Sequence, residues 1–233
     1  MKTVILAGGK GLRIFEETKL KPKPMIKIGG IPLILHIMDI YKFYGFNDFI
    51  ICGGYKYKVL KYFFRNKKKY FNVKIINTGN NTQTAGRLVK VKKYLRNEKE
   101  FFLTYGDGLA NLNIKKLLKF HRKKNTLATV TAVKKNLNFG MLKITSKNLV
   151  NNFIEKPNNQ LINGGFFVFS NKIFKHINSK KSIEFDCLPK LAKNKNLSAY
   201  KHDGFWQCLD NSKDKKYLEK KWKEKNCPWK NLK

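Results

Sequence analysis

Short apolar runs separated by turns rich in glycine, asparagine and lysine set the rhythm of the first half of the chain. Val4-Ile5-Leu6-Ala7 is apolar at every position, the pattern of a strand covered on both faces in a parallel sheet. Leu33–Tyr44 is apolar on nearly every side, which predicts a buried helix, with Pro32 well placed to open it. Phe49–Cys52 predicts a second strand. Tyr55–Arg65, with Val59, Leu60, Phe63 and Phe64 at helical spacing, predicts a second helix. Val73–Ile76, Leu88–Leu95 and Phe101–Tyr105 continue the alternation as strand, helix and strand. Asn113 then caps a helix that places Ile114, Leu117, Leu118 and His121 on one face, with His121 at its boundary. Strand alternating with helix predicts an α/β fold with a Rossmann-like, doubly wound sheet.

From Thr126 the rhythm changes. Leu127–Val133, Phe139–Ile144, Leu149–Ile154 and Ile162–Phe169 read as strands with little helix between them, so the sheet is expected to be mixed. Ile173–Ile177 and Cys187–Lys193 look helical, Leu197–His202 reads as a strand, and a very basic helix runs from Ser212 to Lys225. No repeat or linker interrupts the chain. A single domain over 1–233 is expected, with one half at about 1–125 and the other at about 126–233.

Composition narrows the class. At 233 residues and 42% hydrophobic content, one sizeable core can be buried. No apolar run is long enough for a bilayer span, and Met1-Lys2 leads directly into a strand, so a cytoplasmic protein with no membrane partner is expected. Cys52, Cys187, Cys208 and Cys227 show neither CxxC spacing nor the density of a disulfide scaffold and read as reduced thiols. The net charge of +35 raises the question of nucleic acid. Only five of the fifty cations are arginine, however, and the lysines travel with asparagines along the whole chain. That distribution, including Lys67-Lys68-Lys69, reads as solvated surface, and no specific nucleic-acid partner is expected.

Candidate chemistry collects at turns. Gly8, Gly9 and Gly11 follow the first strand, so backbone N–H groups there can turn onto phosphate. Arg13 and Lys23 add two cations. The string has no Gly-Lys-Ser/Thr, and Ile14 replaces the last glycine of GxGxxG; what remains, a strand, a glycine loop and a basic wall, suits a nucleoside triphosphate or reads as an ordinary glycine turn. Asp107 lies between Gly106 and Gly108 at a strand end, where an open α/β sheet places ligands; it reads as a Mg²⁺ carboxylate or as an Asp-Gly turn. Asp210 reads as a second metal carboxylate or as a helix N-cap. The polar loop Asn77–Arg87 could turn its last N–H groups to an anion or a base edge. Glu155-Lys156-Pro157 and Asn163-Gly164-Gly165 could offer a cation and hydroxyl partners to a sugar phosphate.

Leu-Ala-Gly-Gly-Lys-Gly-Leu-Arg at 6–13, with Lys-Pro-Lys-Pro-Met at 21–25, resembles the opening signature of the sugar-1-phosphate nucleotidyltransferases. Thr-Tyr-Gly-Asp-Gly at 104–108, Glu-Lys-Pro at 155–157, Ile-Asn-Gly-Gly-Phe-Phe-Val at 162–168, Gly-Phe-Trp-Gln at 204–207 and Pro-Trp-Lys at 228–230 follow in order. Over nearly the whole chain these resemble the glucose-1-phosphate cytidylyltransferase branch. The resemblance implies a nucleotide-diphospho-sugar transferase type of fold and the conversion of CTP and α-D-glucose 1-phosphate to CDP-glucose and pyrophosphate with Mg²⁺. A homo-oligomer is expected. It also implies site roles. Leu6, Ala7, Gly8, Gly9, Gly11, Arg13, Lys23, Gly86, Arg87 and Asp107 would line the nucleotide, with Arg13 and Lys23 catalytic. Tyr105, Gly106, Glu155, Lys156, Asn163 and Gly164 would receive the sugar phosphate, and Asp107 and Asp210 the metal. Two departures stand out: Leu12 where the family has threonine, and a stretch between Phe71 and Thr78 that is shorter by a couple of dozen residues. Another base or sugar phosphate, an inactive regulatory homologue and a basic nucleic-acid-binding protein are the competing readings.

Overall fold

The computed structural model describes residues 1–65, 71–135, 140–155 and 160–232. The apolar run at the start forms β1 (Thr3–Ala7), buried at every position. It is followed by a short helix α1 (Phe15–Thr18), a small hairpin of β2 (Lys27–Ile28) and β3 (Ile31–Pro32), and α2 (Leu33–Phe43). The chain then lays down β4 (Asp48–Gly53), α3 (Tyr57–Phe64) and β5 (Asn72–Asn77), both strands parallel to β1 and on one side of it. After α4 (Thr84–Val91) it returns to the other side of β1 with β6 (Glu100–Tyr105), again parallel. β7 (Gly108–Ala110) and α5 (Ile114–Lys124) close the first half. Asn113 caps α5 as expected, its side chain accepting from the Lys116 N–H at 2.9 Å.

The second half completes the sheet. β8 (Ala128–Lys135) is followed by a separate ribbon of β9 (Met141–Ile144) and β10 (Val150–Ile154), then β11 (Gln160–Ser170), α6 (Leu188–Lys193), β12 (Leu197–His202), β13 (Trp206–Cys208) and α7 (Ser212–Lys223). The seven-stranded sheet runs β12-β8-β11-β6-β1-β4-β5, and β11 alone is antiparallel to its neighbours β6 and β8. The sheet is mixed and doubly wound, as the pattern of strands and helices predicts.

Strand alternation supplies two cores. Ile5, Phe49, Ile51, Phe102, Phe166 and Val168 face one side, where α2, α5 and the buried Trp229 cover them. Val4, Leu6, Ile50, Leu103, Phe167 and Phe169 face the other, under α4 and α6. His121 is buried on α5 with its Nδ1 2.7 Å from the Thr129 hydroxyl, a packing role. Because the chain leaves β1 in one direction and returns on its other side at β6, the carboxyl ends of β1 and β6 bound a switch-point crevice.

The structure departs from the sequence reading in three places. α4 starts at Thr84 and takes in Gly86 and Arg87, which the reading gave to the preceding loop. Burial of Ala85, Leu88 and Val91 on one face outweighs the poor helical propensity of threonine and glycine. Asn171–Lys175 is a 3₁₀ segment, and Ile183–Cys187 is a π-helical turn leading into α6. β9 and β10 pair with each other outside the main sheet. The strand expected at Val73–Ile76 is present as Asn72–Asn77, in register with β4.

Candidate active site

A cavity of about 610 Å³ opens at the carboxyl ends of β1 and β6. Leu6, Ala7, Gly8, Gly9, Gly11, Arg13, Lys23, Arg87, Tyr105, Gly106 and Asp107 all line it. The structure thus gathers eleven residues expected at a nucleotide or sugar phosphate, Asp107 among them. Thr82, Gln83 and Thr84 form its far wall at the start of α4. Leu12 lines the rim with its side chain exposed. Gly86 lies off the wall: a Cβ there would meet the Ser179 carbonyl at 2.6 Å, so its smallness serves packing.

Arg87 holds the glycine loop from behind. Its guanidinium donates to Gly8 O at 3.0 Å, Gly79 O at 2.9 Å and the Thr78 hydroxyl at 2.7 Å. A Cβ on Gly8 would sit 1.9 Å from this guanidinium and one on Gly54 2.4 Å from it. These glycines give Arg87 its passage, a reason for glycine that differs from phosphate contact. With several acceptors already on its donors, Arg87 braces the cavity wall. Burial pushes its pKa below the ordinary arginine value.

The charged centre joins two loops. Lys23 follows Pro22 in a short 3₁₀ turn, is only 9% exposed, and reaches Asp107 Oδ2 at 2.8 Å and Asp210 Oδ1 at 3.1 Å. Burial works to lower its ammonium pKa, and the Asp107 carboxylate outweighs that and holds it above the ordinary lysine value. Arg13 pairs with the other oxygen of Asp210. Asp107 lies between β6 and β7, and its carbonyl accepts from Leu209 N at 2.8 Å; β13 pairs with β7 alongside. This backbone pairing brings residues 107 and 210 together across a hundred positions of sequence. Asp210 is not the cap of α7: Asn211 is, with Asp214 completing a capping box. The metal reading of Asp210 therefore stays free of its competitor.

A second cavity of about 240 Å³ adjoins this centre. Tyr105, Asn163, Gly164, Lys135, Trp206 and Cys208 line it beside Arg13, Asp107 and Asp210. Asn163 and Gly164, which the resemblance assigns to a sugar phosphate, line this cavity; Lys135 and Trp206 line it too and were not anticipated. Tyr105 donates to Glu184 at 2.5 Å and accepts from Asn163 Nδ2 at 3.2 Å, while Thr84 donates to the other oxygen of Glu184 at 2.7 Å. Burial and the Glu184 charge raise the Tyr105 phenol well above its ordinary pKa, so it stays a donor. Glu184 links the walls of the two cavities, and its place in an irregular turn hid it from periodicity. Glu155 is exposed at the end of β10, away from both cavity linings, and Lys156 lies outside the described residues.

Asp107, Cys208 and Asp210 each offer one ligand atom, all within 4.8 Å of one another. Two carboxylates at loop positions, drawn together by the pairing of β7 with β13 and standing beside both cavities, fit a divalent cation held by oxygen. Burial and Asp107 push the Cys208 thiol up to about 12. Among the described residues, no helix is long and apolar enough to cross a membrane.

Comparison with known proteins places this geometry. The nucleotidyl transferase family matches residues 2–221. The chain is 41% identical to the glucose-1-phosphate cytidylyltransferase of Salmonella typhimurium, covering 99% of each chain. It is 39% identical, at the same coverage, to the probable glucose-1-phosphate cytidylyltransferase of Bacillus subtilis. The Salmonella alignment runs over 255 positions against the 233 residues of this chain, so the relative carries residues that this chain lacks. The structure of HddC from Yersinia pseudotuberculosis, solved with GMP-PN, superposes with a TM-score of 0.74 at 25% identity, covering 95% of this chain and 99% of that one. Sequence, sheet order and the crevice beside β1 agree: this chain belongs to the nucleotidyl transferase family.

Proposed function

We propose that this chain joins CTP and α-D-glucose 1-phosphate to give CDP-glucose and pyrophosphate. The observation that carries the reading is the meeting of the glycine loop, Lys23, Asp107 and Asp210 at one crevice, in a chain 41% identical to a glucose-1-phosphate cytidylyltransferase. Both substrates are anionic, so the chemistry is alignment and charge neutralisation. The sugar-phosphate oxygen attacks the α-phosphorus, its P–O bond forms as the bond to pyrophosphate breaks, and no side-chain nucleophile is required.

In this reading the glycine loop and Arg13 hold the triphosphate in the larger cavity. Lys23 leaves its carboxylates for the phosphates, and Tyr105, Asn163 and Gly164 seat the sugar phosphate in the smaller one, with Gly106 reaching it from the wall of the larger. The resemblance would add Lys156 to this seat, whereas Glu155, exposed at the end of β10 and outside both linings, takes no part. The half at 1–125 serves the nucleotide and the half at 126–233 the sugar. Asp107 and Asp210 would hold Mg²⁺, which when bound supplies charge to the phosphates and orients them. Self-association is part of the proposal; the ribbon of β9 and β10 supports it by leaving Leu142, Ile144, Val150 and Phe153 exposed on one face.

Base choice provides the test. The wall at Thr82–Thr84 is polar and close to the glycine loop, which suits a pyrimidine's O2, N3 and N4 edge better than a purine. With glucose 1-phosphate saturating, kcat/KM is expected to be highest for CTP, lower for UTP and dTTP, and poor for GTP and ATP. Products identified by mass would decide, and a GTP or ATP preference would refute cytidylyl transfer.

A further inference from the structure

Trp206, Cys208 and Asp210 alternate along β13 and its extension, so all three face the smaller cavity, while Leu209 is buried. The Cys208 Sγ is therefore presented to the same space as the carboxylates of Asp107 and Asp210, its ligand atom within 4.8 Å of theirs. A site that only held Mg²⁺ has no use for sulfur, because Mg²⁺ takes hard oxygen ligands in an octahedron and keeps most positions for phosphate and water. Thiolate with carboxylate is the donor set of a softer cation.

We propose that Cys208 is a third protein ligand at the Asp107–Asp210 seat, so that this seat binds a thiophilic divalent cation of the Zn²⁺, Cd²⁺ or Co²⁺ class more tightly than Mg²⁺. This rests on the reading of the two aspartates as metal carboxylates. The geometry is close to sufficient: donors around one tetrahedral zinc stand roughly 3.3–3.8 Å apart, which rotation of an aspartate side chain reaches from the present spacing. Lys23 must first swing off the carboxylates, as it does in the proposed reaction. The thiol proton leaves to solvent as sulfur binds the metal.

The binding has a consequence for turnover. Three protein donors on a tetrahedral ion leave one open position, enough for a single phosphate oxygen. Such an ion cannot bridge two substrates as an octahedral one can. Zn²⁺ is therefore expected to inhibit the Mg²⁺-supported reaction in competition with Mg²⁺.

The test titrates the reduced full-length protein with Co²⁺ alone, and then with Cd²⁺ alone, following the sulfur-to-metal charge-transfer band. One equivalent of the band is expected. Cys208→Ser, which retains Cys52, Cys187 and Cys227, should lose it, and Asp210→Asn should weaken Co²⁺ binding by at least about tenfold. A wild-type protein without the band, or a Cys208→Ser protein that keeps it, overturns the proposal. A second measurement needs no variant: Cd²⁺ but not Mg²⁺ should slow alkylation of wild-type Cys208, read by peptide mass, and equal rates overturn the proposal too. Pyrophosphate release with Mg²⁺, CTP and glucose 1-phosphate separates the two readings. Turnover without the band removes only the thiol ligand, whereas the band without turnover supports the ligand and removes the proposed reaction.

Discussion

Lys23 and Arg87 are both buried cations beside one crevice, yet they answer to opposite demands. Lys23 is held between Asp107 and Asp210 by contacts that can be exchanged for phosphate and metal. Asp107→Asn and Asp210→Asn are each expected to lower kcat by at least about 10²-fold with a cooperative unfolding transition retained, since both aspartates sit at loop positions outside the two cores. Near-normal turnover at limiting Mg²⁺ in either variant would reduce that carboxylate to a partner of Lys23. Arg87 is committed to the protein, because its donors satisfy Gly8, Thr78 and Gly79. Arg87→Ala would strand buried carbonyls and release the glycine loop. The expected loss is about 3 kcal/mol in urea denaturation together with a raised KM for the nucleotide. A stability change below about 1 kcal/mol would show that water replaces the guanidinium. Sequence pointed to Arg87 at the nucleotide but not to its bracing role, because that role depends on Gly8 and Gly54, which lie far from it in the chain and leave it room.

Elements reach the site through contacts that few local signals announce. The β2–β3 hairpin turns at Gly29 with φ +58°, and its N–H is 3.2 Å from both carboxylate oxygens of Glu219 on α7. A Cβ at Gly29 would also lie 1.9 Å from the Trp222 ring. Gly29→Ala therefore combines an unfavourable backbone with a clash, and it should lower the melting temperature and loosen α7, whose N-cap Asn211 directly follows Asp210. A raised KM for Mg²⁺ alongside the lower melting temperature is the expected signature, and an unchanged melting temperature would show that α7 adapts. The strands and long helices of this fold were legible because continuous apolar runs and helical spacing report burial directly. The tail of the sheet was less so. β9 and β10 were read as strands from their apolar residues, but periodicity cannot say which strand pairs with which, and they pair only with each other. Glycine-flanked Asp107 stood out locally, whereas Glu184 and Cys208 acquire meaning only when β13 docks on β7 and the π-helical turn meets Tyr105.

At the scale of the molecule, the charge of +35 needs a role consistent with substrates that are small and anionic. Lysines along most of the surface create a positive field that draws triphosphate and sugar phosphate toward the crevice, where Lys10, Arg13 and Lys23 stand. The field acts over distances comparable to the Debye length, about 10 Å at 0.1 M salt, whereas contacts inside the cavity are near 3 Å and weakly screened. Encounter should therefore be far more salt-sensitive than the chemical step. Raising salt from about 20 to 200 mM is expected to lower kcat/KM by roughly tenfold while kcat changes little. Nucleic acid feels the same field, so duplexes of unrelated sequence should bind equally and weaken steeply with salt through counterion release. Two results would overturn this account of the charge. If kcat fell in step with kcat/KM, salt would be acting on the bound centre; if one duplex sequence bound tightly at physiological salt, the lysines would form a recognition surface.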